Sequence, residues 1–148
     1  MKLEAAFQQV NRLFLDSTPV IYYVDANPNY SAIMDGIFDF IESAQIRVVT
    51  SPVTLAECLV LPIRQNDLFQ QRLFVDIITA QDTADFVNIT SAIARNAAEV
   101  RAKYNLKLPD AFQMATALEE GCEALLTNDD QLKQVTELRV LVISELEV

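Results

Sequence analysis

Histidine is absent from the 148 residues, which removes serine and cysteine hydrolase triads, HExxH zinc sites and imidazole acid–base chemistry in one step. Any catalysis must run on carboxylates, hydroxyls, lysine or a metal. Glycine occurs only as Gly36 and Gly121, so neither GxGxxG nor the P-loop pattern GxxxxGK can be written anywhere. Both depend on glycines that let the backbone approach phosphate, and both readings fail. The two cysteines, Cys58 in AECLVL and Cys122 before EALLT, sit among apolar neighbours and read as small hydrophobes rather than as a disulfide. No apolar run approaches the roughly 20 residues that span a bilayer, and MKLEAAFQQV has Glu4 and two glutamines where a signal peptide needs an apolar core. The expectation is a cytoplasmic protein without membrane association. Basic residues are scarce, 11 against 21 acidic, for a net charge of −10. That balance argues against a general polyanion-binding surface, because nucleic acid affinity comes largely from Lys and Arg displacing counterions. One local exception exists: Arg95, Arg101, Lys103 and Lys107 lie close together with only Glu99 opposing them. Taken alone, this cluster reads as a solvated helix face.

What is present is a large apolar fraction, 51% of the residues, enough for one domain with a real core and too little chain for two. The domain is expected over residues 1–148, with 1–10 as a short amphipathic extension. Five apolar runs read as strands: LFL before Asp16, IRVVT at 46–50, FVNIT at 86–90, EALLT at 123–127 and RVLVI at 139–143. They are continuous rather than alternating, as strands buried on both faces are. Helical spacing fills the intervals. Residues 30–43 put Ile33, Ile37, Phe40 and Ile41 on one stripe. Ser51 with Pro52 starts a helix through about 64, and Asn66 or Asp67 starts another through Thr79. Residues 91–104 and 110–120 supply two more, the last closed by Gly121. Alternating strands and helices imply parallel pairing with right-handed crossovers, so the expected fold is a three-layer α/β sandwich.

Four carboxylates stand where such a sheet gathers side chains. Asp16 ends the first strand and Asp129 follows the fourth in LLTNDD. In the strand order 3-2-1-4-5 these two meet at the carboxyl edge, where ligands of open sheets bind. Alone, either aspartate reads as a cap or turn residue. Glu57, in SPVTLAECLVLPIR, has Val53, Thr54, Val60 and Leu61 as its helical neighbours and only Arg64 as a local cation, an expensive setting for an ionised group. Asp110, at the start of a helix after Pro109, is explained singly as a complement to the helix dipole, yet the same position aims it at the edge where Asp16 lies. Carboxylates meeting without a basic residue repel and take up protons. A divalent cation resolves this, and hard oxygen ligands suit Mg²⁺ or Mn²⁺, which activate water and clamp the oxygens of an in-line phosphoryl displacement. The chemistry that follows is phosphodiester hydrolysis without a covalent enzyme intermediate.

FLDST near the start, AE in the middle, LPDAFQMATALEEG and LLTNDDQL, in that order, resemble the PIN-domain family and especially its VapC-like bacterial members, over nearly the whole chain. The resemblance implies a five-stranded parallel sheet ordered 3-2-1-4-5 and a Mg²⁺- or Mn²⁺-dependent nuclease acting mainly on single-stranded RNA. By motif position, Asp16, Glu57, Asp110 and Asp129 correspond to the four catalytic and metal-holding acids. Thr127 matches the supporting hydroxyl residue, and Ser17 the small polar residue after the first aspartate. Arg95, Arg101 and Lys103 are then the candidates for binding RNA. Toxins of the family commonly form homodimers and are neutralised by a small antitoxin. The apolar stretch 53–79, with Leu59, Leu61, Leu68, Phe69, Leu73 and Phe74, is long enough to offer such an interface once the core is covered, and a plain core explains those residues equally well.

Two rival acidic-pocket folds lack a required residue: a response-regulator receiver needs a lysine at the end of its last strand, and RVLVISELEV has none. A haloacid-dehalogenase-like phosphatase needs a second aspartate two residues after the first, where Thr18 stands. The stronger alternative is a PIN domain used as a binding or scaffolding module, with negligible turnover. Four filled acidic positions favour activity.

Overall fold

The computed structural model of the chain describes residues 1–80 and 82–148. In order it forms α1 (Leu3–Ala6), β1 (Arg12–Leu15), α2 (Ser17–Val24), α3 (Ser31–Ser43), β2 (Arg47–Thr50), α4 (Pro52–Arg64), α5 (Leu68–Thr79), β3 (Ala84–Phe86), α6 (Ser91–Tyr104), α7 (Leu108–Glu119), β4 (Ala124–Thr127) and β5 (Arg139–Val142). A 3-10 turn over Asp130–Gln134 joins the last two strands. The sheet is parallel with the order β3-β2-β1-β4-β5, as expected. No helix among the described residues is long and apolar enough to cross a membrane.

Side-chain alternation along β1 divides the core. Leu13 and Leu15 enter one apolar cluster with Met34, Ile37, Phe74 and Ile78 of α3 and α5, while Phe14 enters the other with Ile93, Ala97, Met114 and Ala115 of α6 and α7. Phe14 pairs in register with Val49 on one side and Leu125 on the other, and all three are fully buried. Burial of each such side chain contributes about 1.5–3 kcal/mol, and together they fix the central strands beneath both helical layers.

Caps set most helix boundaries. Ser51 Oγ accepts from the N–H groups of Val53 and Thr54 at the start of α4, and Asp67 Oδ1 accepts from Gln70 N–H at the start of α5. Gly121 adopts φ +67° after α7. Its N–H bonds Leu118 O at 3.2 Å and that of Cys122 bonds Ala117 O at 3.0 Å, the paired bonds of a Schellman stop, which needs a left-handed residue there.

Three boundaries differ from the sequence reading. The third strand lies at Ala84–Phe86, not at 86–90, because β2 ends at Thr50, which pairs with Phe86, and the next residue already caps α4. Only Val87 N–H still reaches Thr50 O, at 2.9 Å, and Thr90 is occupied as the cap of α6, its Oγ1 accepting from Ile93 N–H at 3.2 Å. The second difference is α2, for which no helix was expected. STPVIYYV is rich in β-branched and aromatic residues that favour strands, but Asp16 caps its first turn, where Pro19 is well tolerated. Finally, the amino-terminal helix is confined to Leu3–Ala6, followed by Gln9 at φ +62°.

Candidate active site

Asp16 leaves β1 at the carboxyl edge of the sheet, beside the neighbouring end of β4. It is only 5% exposed, and both of its oxygens are engaged. Oδ1 accepts from Ser17 N–H at 2.8 Å, and Oδ2 accepts from Thr127 Oγ1 at 2.8 Å. Thr127, the last residue of β4, also accepts from Asp129 N–H at 3.1 Å, so its single proton is committed to Asp16. Asp129 in turn accepts from Gln131 N–H at 2.9 Å and caps the 3-10 turn. Asp16 is thus a helix cap and also a member of a carboxylate group.

Glu57 projects from α4 and is half-buried. Its Oε1 is buried and has no hydrogen-bond partner among the described residues. Such an atom carries a desolvation cost of about 1–3 kcal/mol unless something compensates it. Asp110 sits in the first turn of α7, also half-buried.

The four acids act on one another. Burial pushes the Asp16 carboxyl up; the bonds from Thr127, Ser17 and the Gln113 amide oppose this, and the charge of Asp129 adds to it. Glu57 is raised by burial and then by the charge of Asp16, with Ser17 working the other way and Asp110 adding a further rise. Asp110 is raised by burial and by Asp16 and Asp129, while Lys107 pulls it down. Three carboxyls displaced in the same direction is the signature of negative groups sharing a poorly solvated site.

Hard oxygen donors with excess negative charge and an orphaned Glu57 oxygen fit a divalent cation of the Mg²⁺ or Mn²⁺ kind. Burial, then Glu57 and Asp16, push the Cys58 thiol up, so it supplies no thiolate for a softer metal. Among the described residues, however, no three acidic, cysteine or histidine side chains come close enough to enclose a metal ion. The acids share a field without forming a closed ligand shell. A cavity of about 680 Å³ under α3 and α5, lined by Phe38, Ile41, Val48 and Ile77, contains none of the four.

The PIN domain family matches this sequence over residues 13–138. The chain belongs to the PIN domain family. Solved structures of similar fold include VapBC2 of Rickettsia felis bound to promoter DNA (TM-score 0.69, 15% identity, covering 87% of this chain and 96% of that one). A toxin–antitoxin complex from Klebsiella pneumoniae superposes at TM-score 0.67 with 22% identity, covering 88% and 97%. VapC20 of Mycobacterium tuberculosis, a sarcin–ricin loop cleaving toxin, gives TM-score 0.67 with 16% identity, covering 86% and 98%. None of the curated proteins matches.

The basic residues of this PIN domain are distributed unlike the sequence expectation. Arg95 is exposed beside Asn96, whose amide bonds Glu119 at 3.0 Å. Glu119 is at the far end of α7 from Asp110, about 13 Å along a helix rising about 1.5 Å per residue, so Arg95 is not brought to the acids. Arg101 turns its guanidinium onto the carbonyl of Leu106. Lys103 is paired with Glu137 at 2.9 Å and lies 5.0 Å from the Tyr104 ring centre. Lys107, the cap residue of α7, exposed and three positions before Asp110, is a cation whose charge does reach one of the acids, Asp110.

Two residues beside the acids are not singled out by the sequence. Lys107 belongs to the basic cluster without an assignment to substrate. Gln113 has no role in the sequence reading beyond its helix, and it is fully buried between α7 and α4. The available signal was an amide one turn after Asp110 in a run of alanine and methionine, a setting in which a polar group needs a partner.

Proposed function

We propose that this PIN domain is a Mg²⁺- or Mn²⁺-dependent endoribonuclease of single-stranded RNA, and the toxin of a toxin–antitoxin pair. The observation that carries the reading is the buried Oε1 of Glu57, without a hydrogen-bond partner among the described residues, in the fields of Asp16 and Asp110. Asp16, Glu57 and Asp110 would hold the ion, with Asp129 completing the acidic rim. When bound, the cation polarises a water for attack on phosphorus and offsets charge on the phosphate.

The protein's own groups do the rest. Thr127 and the Ser17 N–H hold Asp16 in one rotamer, so its lone pairs are already oriented before substrate arrives. Lys107 supplies positive charge at the mouth of an otherwise acidic site, where the phosphates flanking the scissile bond must pass. The family match and the structural similarity to VapC20 and to VapBC and FitAB complexes support this assignment.

The α4–α5 hairpin offers a surface for a partner. Leu61 is 51% exposed, Leu68 73% and Phe69 75%, with Val60 and Ile63 beside them. Phe74 of the same stretch is buried, and Leu59 and Leu73 are partly so. The stretch therefore divides into a core side and an open apolar side suited to an antitoxin segment or a second copy of the chain.

The test is cleavage of single-stranded RNA by purified protein with Mn²⁺ or Mg²⁺, stopped by EDTA and lost in Asp16→Asn and Asp110→Asn. Equal residual cleavage by wild type and both variants would trace the activity to contamination. One observation favours the second reading, a PIN domain that binds without turnover: the acids do not close around a single point. Metal binding with no cleavage would select it.

A further inference from the structure

Three fully buried polar side chains, Ser51, Thr54 and Gln113, form a chain of hydrogen bonds directly below the carboxylates. Ser51 Oγ accepts from the N–H groups of Val53 and Thr54 as the cap of α4, so its one proton is free to go to Gln113 Oε1, 2.6 Å away. Thr54 Oγ1 gives its proton to Leu15 O at 3.2 Å and therefore accepts from Gln113 Nε2 at 2.6 Å. These directions are mutually consistent and admit only one orientation of the amide, oxygen toward Ser51 and nitrogen toward Thr54. The second Nε2 proton remains for Asp16, the residue after Leu15.

The positions of these residues give the chain its meaning. Thr54 is one helical turn before Glu57 on α4, and Gln113 is one turn after Asp110 on α7, so each lies on the same helix face as an acid. The Gln113–Thr54 bond therefore joins the two acid-bearing helices at the level of the acids, and Thr54 ties the joint to the last residue of β1, next to Asp16. A hydrophobic side chain at 113 would fill the same volume with no preferred spacing or rotation between α4 and α7. The amide imposes both, because one end meets the cap of α4, Ser51, and the other meets Thr54 in its first turn, and its planar geometry is directional.

We propose that Gln113 is a positioning residue: it clamps α7 to α4 and so sets the separation of Asp110 from Glu57 around Asp16. The inference rests on the metal-holding role proposed above for these acids. It assigns to a neutral, buried amide, which touches neither ion nor RNA, control over how well the acids act together.

The test separates hydrogen bonding from packing. Thr54→Val keeps the shape and loses the hydroxyl, whereas Thr54→Ser keeps the hydroxyl and loses a methyl; Gln113→Met keeps length and loses the amide. Mn²⁺ affinity of the folded, RNA-free protein is measured by calorimetry. Metal-free melting temperatures are measured beside it, with Ile37→Val as a core variant remote from the clamp. Gln113→Met and Thr54→Val are expected to weaken Mn²⁺ binding by about tenfold or more, the range for groups that orient ligands. Thr54→Ser should stay near wild type, and Ile37→Val should lower the melting temperature without changing affinity. Because both partners of one bond are removed, the Gln113→Met/Thr54→Val double variant should bind no worse than the weaker single. Lowered melting temperatures with unchanged Mn²⁺ affinity in Gln113→Met and Thr54→Val would show a purely structural role and overturn the inference alone. Absence of Mn²⁺ binding by wild type would overturn the metal-holding reading itself, and this inference with it.

Discussion

Thr127 Oγ1 donates to Asp16 Oδ2 at 2.8 Å while accepting from Asp129 N–H at 3.1 Å. One hydroxyl therefore links the acids that follow the two adjacent central strands and fixes which way Asp16 faces. Thr127→Val keeps the shape but strands a carboxyl oxygen and a backbone N–H. The expected cost is about 1–3 kcal/mol in metal-free stability, read by urea denaturation, and about a 10–100-fold loss of cleavage. Thr127→Ser should recover most of both. A Val variant with wild-type activity would show that Asp16 needs no such anchor.

The raised carboxyls predict a stability profile with a definite sign. Asp16, Glu57 and Asp110 all have folded-state pKa values above the ordinary carboxylate range, so the folded protein binds their protons more readily than the unfolded chain. Their contribution is complete below the ordinary value, about pH 4, and is lost as pH rises through the raised values. Asp85 has the opposite sign: its bond from Arg47 lowers it, so its contribution is lost in acid. Replacement isolates the site. With EDTA present, Glu57→Gln and Asp110→Asn should melt above wild type in alkaline solution, and the gap should narrow as the pH falls and the wild-type groups take up protons. Melting below wild type in alkaline solution would mean that the acids are not in mutual conflict.

How far these features were legible in the sequence depends on whether their causes are local. The strands β1, β2, β4 and β5 were legible because an apolar run is a local property, and the caps Ser51 and Asp67 because capping is decided within three residues. That Asp16, Glu57 and Asp110 feel one another's charge was foreshadowed by motif order, which names them together with Asp129. Helix α2 was not: the residues of STPVIYYV favour a strand, and the cap at Asp16 and burial under the neighbouring helices decide otherwise. The end of β3 was set by where its partner β2 stops, which Phe86 and Val87 do not encode themselves. The role of Gln113 was invisible for a similar reason, since its partners Thr54 and Ser51 lie 59 and 62 residues away in the chain.

Among the basic residues, position rather than number predicts the effect on RNA. Lys107 adjoins Asp110 and its side chain makes no hydrogen bond or ion pair among the described residues, whereas Lys103 is tied to Glu137 and Arg95 stands by the far end of α7. Lys107→Ala is expected to weaken single-strand binding and to reduce the slope of log affinity against log salt by about 0.7, the value for one phosphate contact. Lys103→Ala and Arg95→Ala should change the slope little. Fluorescence anisotropy at several salt concentrations on the Asp16→Asn background, where RNA is not consumed, reads this directly. A larger effect from Arg95 than from Lys107 would place the RNA path along α6 instead.

The open side of the α4–α5 hairpin predicts assembly. Phe69 is 75% exposed and Leu68 73%, an arrangement that costs hydration free energy in an isolated chain and that a partner relieves at about 25 cal/mol per Å² of apolar surface covered. Both residues lie in the first turn of α5, on the side away from the buried Phe74 and Ile78, so a charge there leaves the core untouched. Phe69→Glu and Leu68→Glu should therefore preserve the melting temperature to within a few degrees while removing self-association, measured by light scattering on a sizing column. Aromatic anchors at interface centres typically contribute about 2 kcal/mol or more, so loss of a micromolar dimer should be complete at ordinary working concentrations. If wild type is already monomeric, the same variants should fail to bind the antitoxin while keeping RNA cleavage, because α5 carries none of the four acids. Retained self-association together with retained antitoxin binding in Phe69→Glu would exclude the hairpin as the contact surface.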